Sequence, residues 1–176
     1  MSNRAPVTIR PATLGDQDAF IAATIASSEL HAGWIDPPRT PEAYAELIRR
    51  AEDPSRFQYL VIAPDGGLAG TVTIGDIIRG NFQSAFLGYT AFAPHAGRGH
   101  MTVGLAAVVD RAFTEHRLHR LEANIQPANA PSAALVRRLG FRLEGHSPNY
   151  LTVDGAWRDH DRWAITAEDW TGIRED

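Results

Sequence analysis

Gly97 and Gly99 bracket Arg98 in the stretch Leu87-Gly-Tyr-Thr-Ala-Phe-Ala-Pro-His-Ala-Gly-Arg-Gly-His-Met101. The glycines remove side chains where the backbone must turn tightly. A helix starting just beyond them would aim unpaired N–H groups and its dipole back at the turn, which suits an anion, most often phosphate. A plain strand-to-helix connection fits the same residues. A second group is Asn129-Ala-Pro-Ser132, an N-cap followed by a hydroxyl in the first helical turn. A third is Glu122 with Asn124 and Gln126, on one face of a strand by period-two spacing. Glu122 reads either as a proton acceptor or as a salt-bridged strand acid. His160 beside Asp159 supplies an imidazole, the side-chain type suited to moving protons near neutral pH, and the same residues could simply order a hairpin. Glu29 and His31 fall at a helix end. His116 with His119, and His95 with His100, lack a third ligand at recognisable spacing, so no metal is expected.

The elements that must carry these groups follow from periodicity and turn residues. Val7 to Arg10 is β-rich. A helix capped by Asp16 is expected to end near Ala32-Gly33, and a proline-rich loop with Trp34 follows. Thr40 and Pro41 open a second helix. Phe57–Ala63, Leu68–Ile78 and Ala85–Phe92 read as a β-meander with a turn at Pro64–Gly67. Met101 to about His116 is the clearest helix. His119–Gln126 is a strand, and Asn129 to Gly140 a capped helix. Leu143–Val153 and Ala156–Thr166 flank an Asp154-Gly155 turn, and Trp170–Asp176 is a polar tail. The order β-α-α-β-β-β-α-β-α-β-β predicts an α+β, mixed α/β fold.

The 176 residues suit one domain, read here as 1–176. With no cysteine, there is no thiolate nucleophile and no disulfide. The net charge of −4 argues against a nucleic-acid surface. No apolar run approaches the roughly 20 residues of a membrane span. A cytoplasmic location is the expectation.

In order along the chain, the glycine turn, the Asn-x-x-Ser helix with Leu139-Gly-Phe141, and the hairpin Tyr150-Leu-Thr-Val-Asp-Gly-Ala-Trp-Arg-Asp-His160 resemble the GNAT N-acetyltransferase superfamily. Within it they resemble the RimJ/RimL group of ribosomal-protein N-terminal acetyltransferases. The resemblance implies a central, mostly antiparallel sheet of about seven strands with four helices, and splayed strands that hold acetyl-CoA. It assigns the pantetheine arm to backbone groups of Ala91, Phe92 and Ala93, with an oxyanion contact from strand amides near Phe92. It places the pyrophosphate on the loop Gly97, Arg98, Gly99, His100, Met101 and Thr102. Asn129 would contact the pantetheine, and Ser132 would donate to the departing thiolate. Trp34 and Tyr150 would border the acceptor, with Tyr44 and Trp157 either there or in packing.

The resemblance also implies a base just before Tyr150. That place holds Asn149, which accepts no proton at useful pH, so Glu122 stands as an alternative. Weak base machinery suits an easily deprotonated acceptor. Neutralising an α-amine at pH 7 costs about 1.4 kcal/mol, and a lysine side chain about 4.6 kcal/mol. The implied reaction is direct acetyl transfer from acetyl-CoA to a primary amine, foremost the N-terminus of a ribosomal protein. A small-molecule amine (polyamine, amino acid or aminoglycoside) and a non-catalytic acetyl-CoA-binding module are the alternatives. The implied partners are acetyl-CoA and an amine acceptor, without nucleic acid or membrane, for a monomer or homodimer.

Overall fold

The computed structural model describes residues 6–172, so residues 173–176 of the expected tail lie outside it. The chain runs β1 (Thr8–Pro11), a 3₁₀ turn (Leu14–Asp16), α1 (Gln17–Ala26), α2 (Ser28–His31) and α3 (Pro41–Arg50). It continues with β2 (Phe57–Ile62), β3 (Leu68–Ile78), β4 (Ser84–Ala91), α4 (His100–Thr114) and β5 (Arg120–Ile125). It closes with α5 (Ala130–Arg138), β6 (Arg142–Val153) and β7 (Ala156–Thr166). The strands form one seven-stranded sheet in the order β1-β2-β3-β4-β5-β7-β6. Every neighbouring pair is antiparallel except β4 and β5, which are parallel. This is the mixed α+β architecture that the resemblance implies. Among the described residues, no helix is long and apolar enough to cross a membrane.

The helix expected to run unbroken to Gly33 is two helices, which makes five among the described residues rather than four. Ser27 causes the break. Its hydroxyl donates to the Ala23 carbonyl (2.7 Å) and accepts from the Ala93 N–H (2.9 Å). A serine side chain that bonds backbone groups competes with the helical ladder.

The sheet has a core on each face, and alternation along β2 separates them. Tyr59 and Val61 face the larger core under α4 and α5, with Val72, Ile74, Leu105, Val109 and Leu121. Leu60 faces the smaller one, with Phe20 of α1, Tyr44 of α3 and Phe92. Tyr44 is fully buried and donates its hydroxyl to the Thr13 carbonyl (2.9 Å), so it packs the core and does not line a pocket. His116 stacks on Phe57 with ring centroids 3.8 Å apart, and His119 lies 3.0 Å from Glu168.

The feature that matters for function lies between β4 and β5. They pair only at Ser84↔Arg120, Ala85↔Leu121 and Phe86↔Glu122. Beyond that, β4 keeps register with β3 as far as Ala91, and β5 keeps register with β7 as far as Ile125. Each strand follows its other neighbour, and the two part.

Candidate active site

The parted strands enclose a cleft of about 620 Å³. It passes through the sheet. Tyr89, Met101, Leu135 and Ser132 line it on the side of α4 and α5. Gly88, Thr90, Asn124 and His160 line it from the opposite face, with the buried His31 and the half-buried Trp34 also in its lining. The register fixes this division. Tyr89 is opposite Val72 of the larger core, while Thr90 is opposite Thr71 on the other face.

At one end the loop before α4 supplies an anion cradle. Gly97 and Gly99 have φ of 76° and 81°, the left-handed region. A Cβ built on either would find no atom within 4 Å, so bare backbone faces outward there. The first turn of α4 has no acidic residue and no side-chain cap. Thr102 N–H turns back to Gly99 O (3.0 Å), which leaves the amides of His100 and Met101 without a partner inside the helix. Arg138 of α5 reaches within 3.4 Å of the Thr102 hydroxyl and adds a positive charge. These groups fit the pyrophosphate of acetyl-CoA. Gly97, Gly99, His100, Met101 and Thr102 all line the cleft, whereas Arg98 is exposed beside it.

Along β4 the structure corrects the expected contacts. Phe92 donates its N–H to Ala69 O (2.8 Å), and its ring is fully buried. It therefore offers neither an oxyanion donor nor a cofactor contact. In an extended strand one residue's N–H and C=O point to one side and its neighbours' point to the other. The backbone groups of Tyr89, Ala91 and Ala93 thus face the parting. His31 Nε2–H donates to Ala91 O (2.8 Å), and Ala93 N–H is held by Ser27. Ala93 is committed, and Ala91 keeps its N–H free for the cleft. Burial is the main reason the His31 imidazole is held below its ordinary pKa, so it stays neutral.

Asn129 caps α5 by accepting from Ser132 N–H (3.2 Å), and Pro131 occupies the first turn. This puts the Ser132 hydroxyl at the positive end of the α5 dipole. The phenol of Tyr89 is 2.7 Å from Ser132 Oγ. Burial pushes Tyr89 up to about 12, so the phenol stays protonated. A serine hydroxyl held in this way can give its proton to an anion forming in the cleft. Tyr89→Phe is expected to lower kcat about five- to tenfold, the loss of one orienting hydrogen bond. Calorimetry should show unchanged coenzyme A affinity.

The two carboxylate and amide candidates for the base do not reach the cleft. Glu122 is held by Arg120 (2.9 Å), which also binds Glu144. Asn149 sits exposed where β6 bulges, at φ 48°, with its N–H bonded to Asp159 (2.9 Å). Of the two expected acceptor residues, Trp34 lines the cleft and Tyr150 does not; its ring centroid is 6.3 Å from that of His160. Gln126 closes the rim by donating to Gly33 O (2.9 Å). His31, read from the sequence as a helix-end residue beside the acceptor or in solvent, is buried and lines the cleft. The contacts of Tyr89, Arg138 and Gln126 carry no sequence signal, because their partners lie far away along the chain.

The family model for the acetyltransferase (GNAT) domain matches residues 7–142. The chain is 38% identical over 125 residues to a probable N-acetyltransferase, YjcK, of Bacillus subtilis, covering 70% of this chain and 69% of the relative. It is 36% identical over 118 residues to the ribosomal protein uS5-alanine N-acetyltransferase of Escherichia coli, covering 66% of this chain and 61% of that one. Among solved structures, Mycobacterium smegmatis RimJ in complex with a coenzyme A disulfide superposes with a TM-score of 0.87 at 32% identity. That superposition covers 97% of this chain and 86% of the other. With the family match extending from β1 into β6 and the parted strands lying inside it, the chain belongs to the GNAT family of acetyl-CoA-dependent N-acetyltransferases.

Proposed function

We propose that this chain, working as one domain, acetylates the N-terminal α-amine of a protein, of the kind its ribosomal-protein-modifying relatives act on. One observation carries the choice among amines. Among the described residues, no aspartate or glutamate lines the cleft. A polyamine brings two or more positive charges, and taking each out of water is expensive without an anionic partner. An N-terminal amine brings one charge and loses it cheaply. The apolar rim of Leu30, Trp34 and Ile35 suits the first side chain of a peptide. The cytoplasm, where ribosomal proteins are made, is the place of action under this reading.

Bound acetyl-CoA supplies an activated acetyl thioester. The loop amides of Gly97 to Met101 and the side chain of Arg138 would hold its phosphates, and Asn129 with the open edge of β4 would hold the pantetheine arm. The free N–H of Ala91 takes over the oxyanion role first assigned near Phe92. Ser132, oriented by Tyr89, protonates the leaving sulfur. The acceptor enters from the face carrying Asn124 and His160, so the two substrates approach from opposite sides of the sheet.

A competition assay read by intact mass tests the proposal. Peptides with the N-termini of ribosomal proteins, a peptide with a blocked N-terminus and an internal lysine, and spermidine are offered together with acetyl-CoA. The α-amine peptides are expected to gain one acetyl group first. Fastest labelling of spermidine or of the internal lysine would overturn the assignment.

A further inference from the structure

Few groups in the cleft can accept a proton. The titratable residues lining it are His31, Tyr89, His95, His100, Arg138 and His160. Arg138 keeps its charge, and Tyr89 keeps its proton. His95 and His100 belong to the phosphate end, their ring centroids 5.7 Å apart. His31 spends its Nε2–H on Ala91, and its Nδ1 is sealed away from solvent.

His160 differs from all of these. It lies on β7, only 4% exposed, on the sheet face that also carries Asn124. Its Nδ1 is 2.9 Å from Arg158 O. A carbonyl only accepts, so Nδ1 carries the hydrogen and Nε2 the lone pair. Nε2 is the ring nitrogen left to meet the acceptor.

We infer that His160 is the general base of this enzyme and takes the acceptor amine's proton on Nε2. The inference rests on the acetyltransferase reading and not on which amine is the acceptor. The amine nitrogen bonds to the acyl carbon as that carbon's bond to sulfur breaks. The proton shed by nitrogen passes to Nε2, giving an imidazolium whose Nδ1–H stays on Arg158 O, and then goes to water. The sulfur receives the Ser132 hydroxyl proton, and Ser132 regains a proton from water as His160 releases one to it, so the net change is amine and thioester to amide and thiol.

The surroundings leave this task to His160. Its register partner on β6 is Ser147, and the Tyr150 ring is nearby. From β5 come Asn124 and Glu122, the latter bound to Arg120, and Gln126 follows just past its end. Arg158 and Arg162 share its face on β7. By alternation Asp159 and Asp161 point to the other face, where both hold His146 (3.4 and 2.9 Å). From α2, His31 lines the same cleft.

His160→Asn tests the role, because the asparagine amide can keep the bond to Arg158 O while the Nε2 lone pair is lost. With whichever amine the wild type acetylates, kcat is expected to fall about 10²–10⁴-fold. Coenzyme A affinity by calorimetry should stay within about twofold. The wild-type pH–rate profile should show a limb that the variant lacks. Nitrogen NMR of the free wild-type protein should find His160 as the Nδ1–H tautomer. The inference is overturned by a variant with wild-type rate and profile, by an affinity loss as large as the rate loss, or by an Nε2–H tautomer. A wild type that acetylates no amine would sink the functional reading instead, with the NMR result still deciding whether Nε2 is free.

Discussion

Gly99→Glu should raise the dissociation constant for acetyl-CoA about a hundredfold or more while the sheet stays folded. Two effects combine. Gly99 sits at φ 81° and ψ −6° as the N-cap of α4, where a side chain costs about 1–2 kcal/mol of backbone strain. The carboxylate would also stand beside the pyrophosphate. Two like charges about 5 Å apart at an effective dielectric of about 20 repel by roughly 3 kcal/mol. Gly99→Ala carries the strain without the charge, so the difference between the two variants isolates the electrostatic part. Calorimetry reads both, with circular dichroism as the check on folding. Unchanged affinity in Gly99→Glu would mean that the phosphates bind elsewhere.

Phe92→Ala should cost about 3–5 kcal/mol of stability, measured as a lower urea midpoint. A domain of this kind has about 5–15 kcal/mol in total. The Phe92 ring meets Phe20 edge-on, at 82° and a centroid distance of 5.3 Å, and Phe20 in turn meets Tyr44 at 4.9 Å. Removing the ring leaves a cavity at the centre of the smaller core, under α1 and α3. Phe92→Leu should be milder and should leave coenzyme A affinity within about twofold. If the leucine variant stayed stable but lost affinity, the ring would have to be returned to the cofactor site.

Local chemistry was legible along the chain wherever neighbouring residues decide it. Asp154 and Gly155 take φ of 50° and 72°, the pair of left-handed residues that a two-residue hairpin requires. Thr40 and Asn129 accept from Ala43 N–H and Ser132 N–H as their N-cap positions demand. The glycine turn leads into α4, with α4 starting at His100. What could not be read depends on distant partners. The break between α1 and α2 is made by Ser27 and Ala93, which are 66 residues apart. The Arg120 that occupies Glu122 is close in sequence, yet nothing in the spacing says which charges pair. A motif position is no surer a guide. The place just before Tyr150 that the family resemblance marks holds Asn149, on a stretch where β6 shifts register between Ser147 and Leu151. Such a bulge breaks the period-two relation between sequence position and sheet face, so the motif does not say which side chain meets the cleft. His160, which lines the cleft, comes from β7.

The parting of β4 from β5 also creates strand edges in the middle of a sheet. Unpaired edges invite any extended segment to add itself, which is how sheets seed aggregation and domain swapping. Rim strands commonly answer with lysines or prolines, but an internal edge that must admit a pantetheine arm cannot be blocked by bulk. Here the blocking is done one atom at a time. His31 covers the Ala91 carbonyl and Ser27 covers the Ala93 amide, so a stray strand finds its ladder interrupted just where β4 ends. The opening is left with a short run of hydrogen-bonding groups, enough for a slender ligand and too few for a rival β-strand.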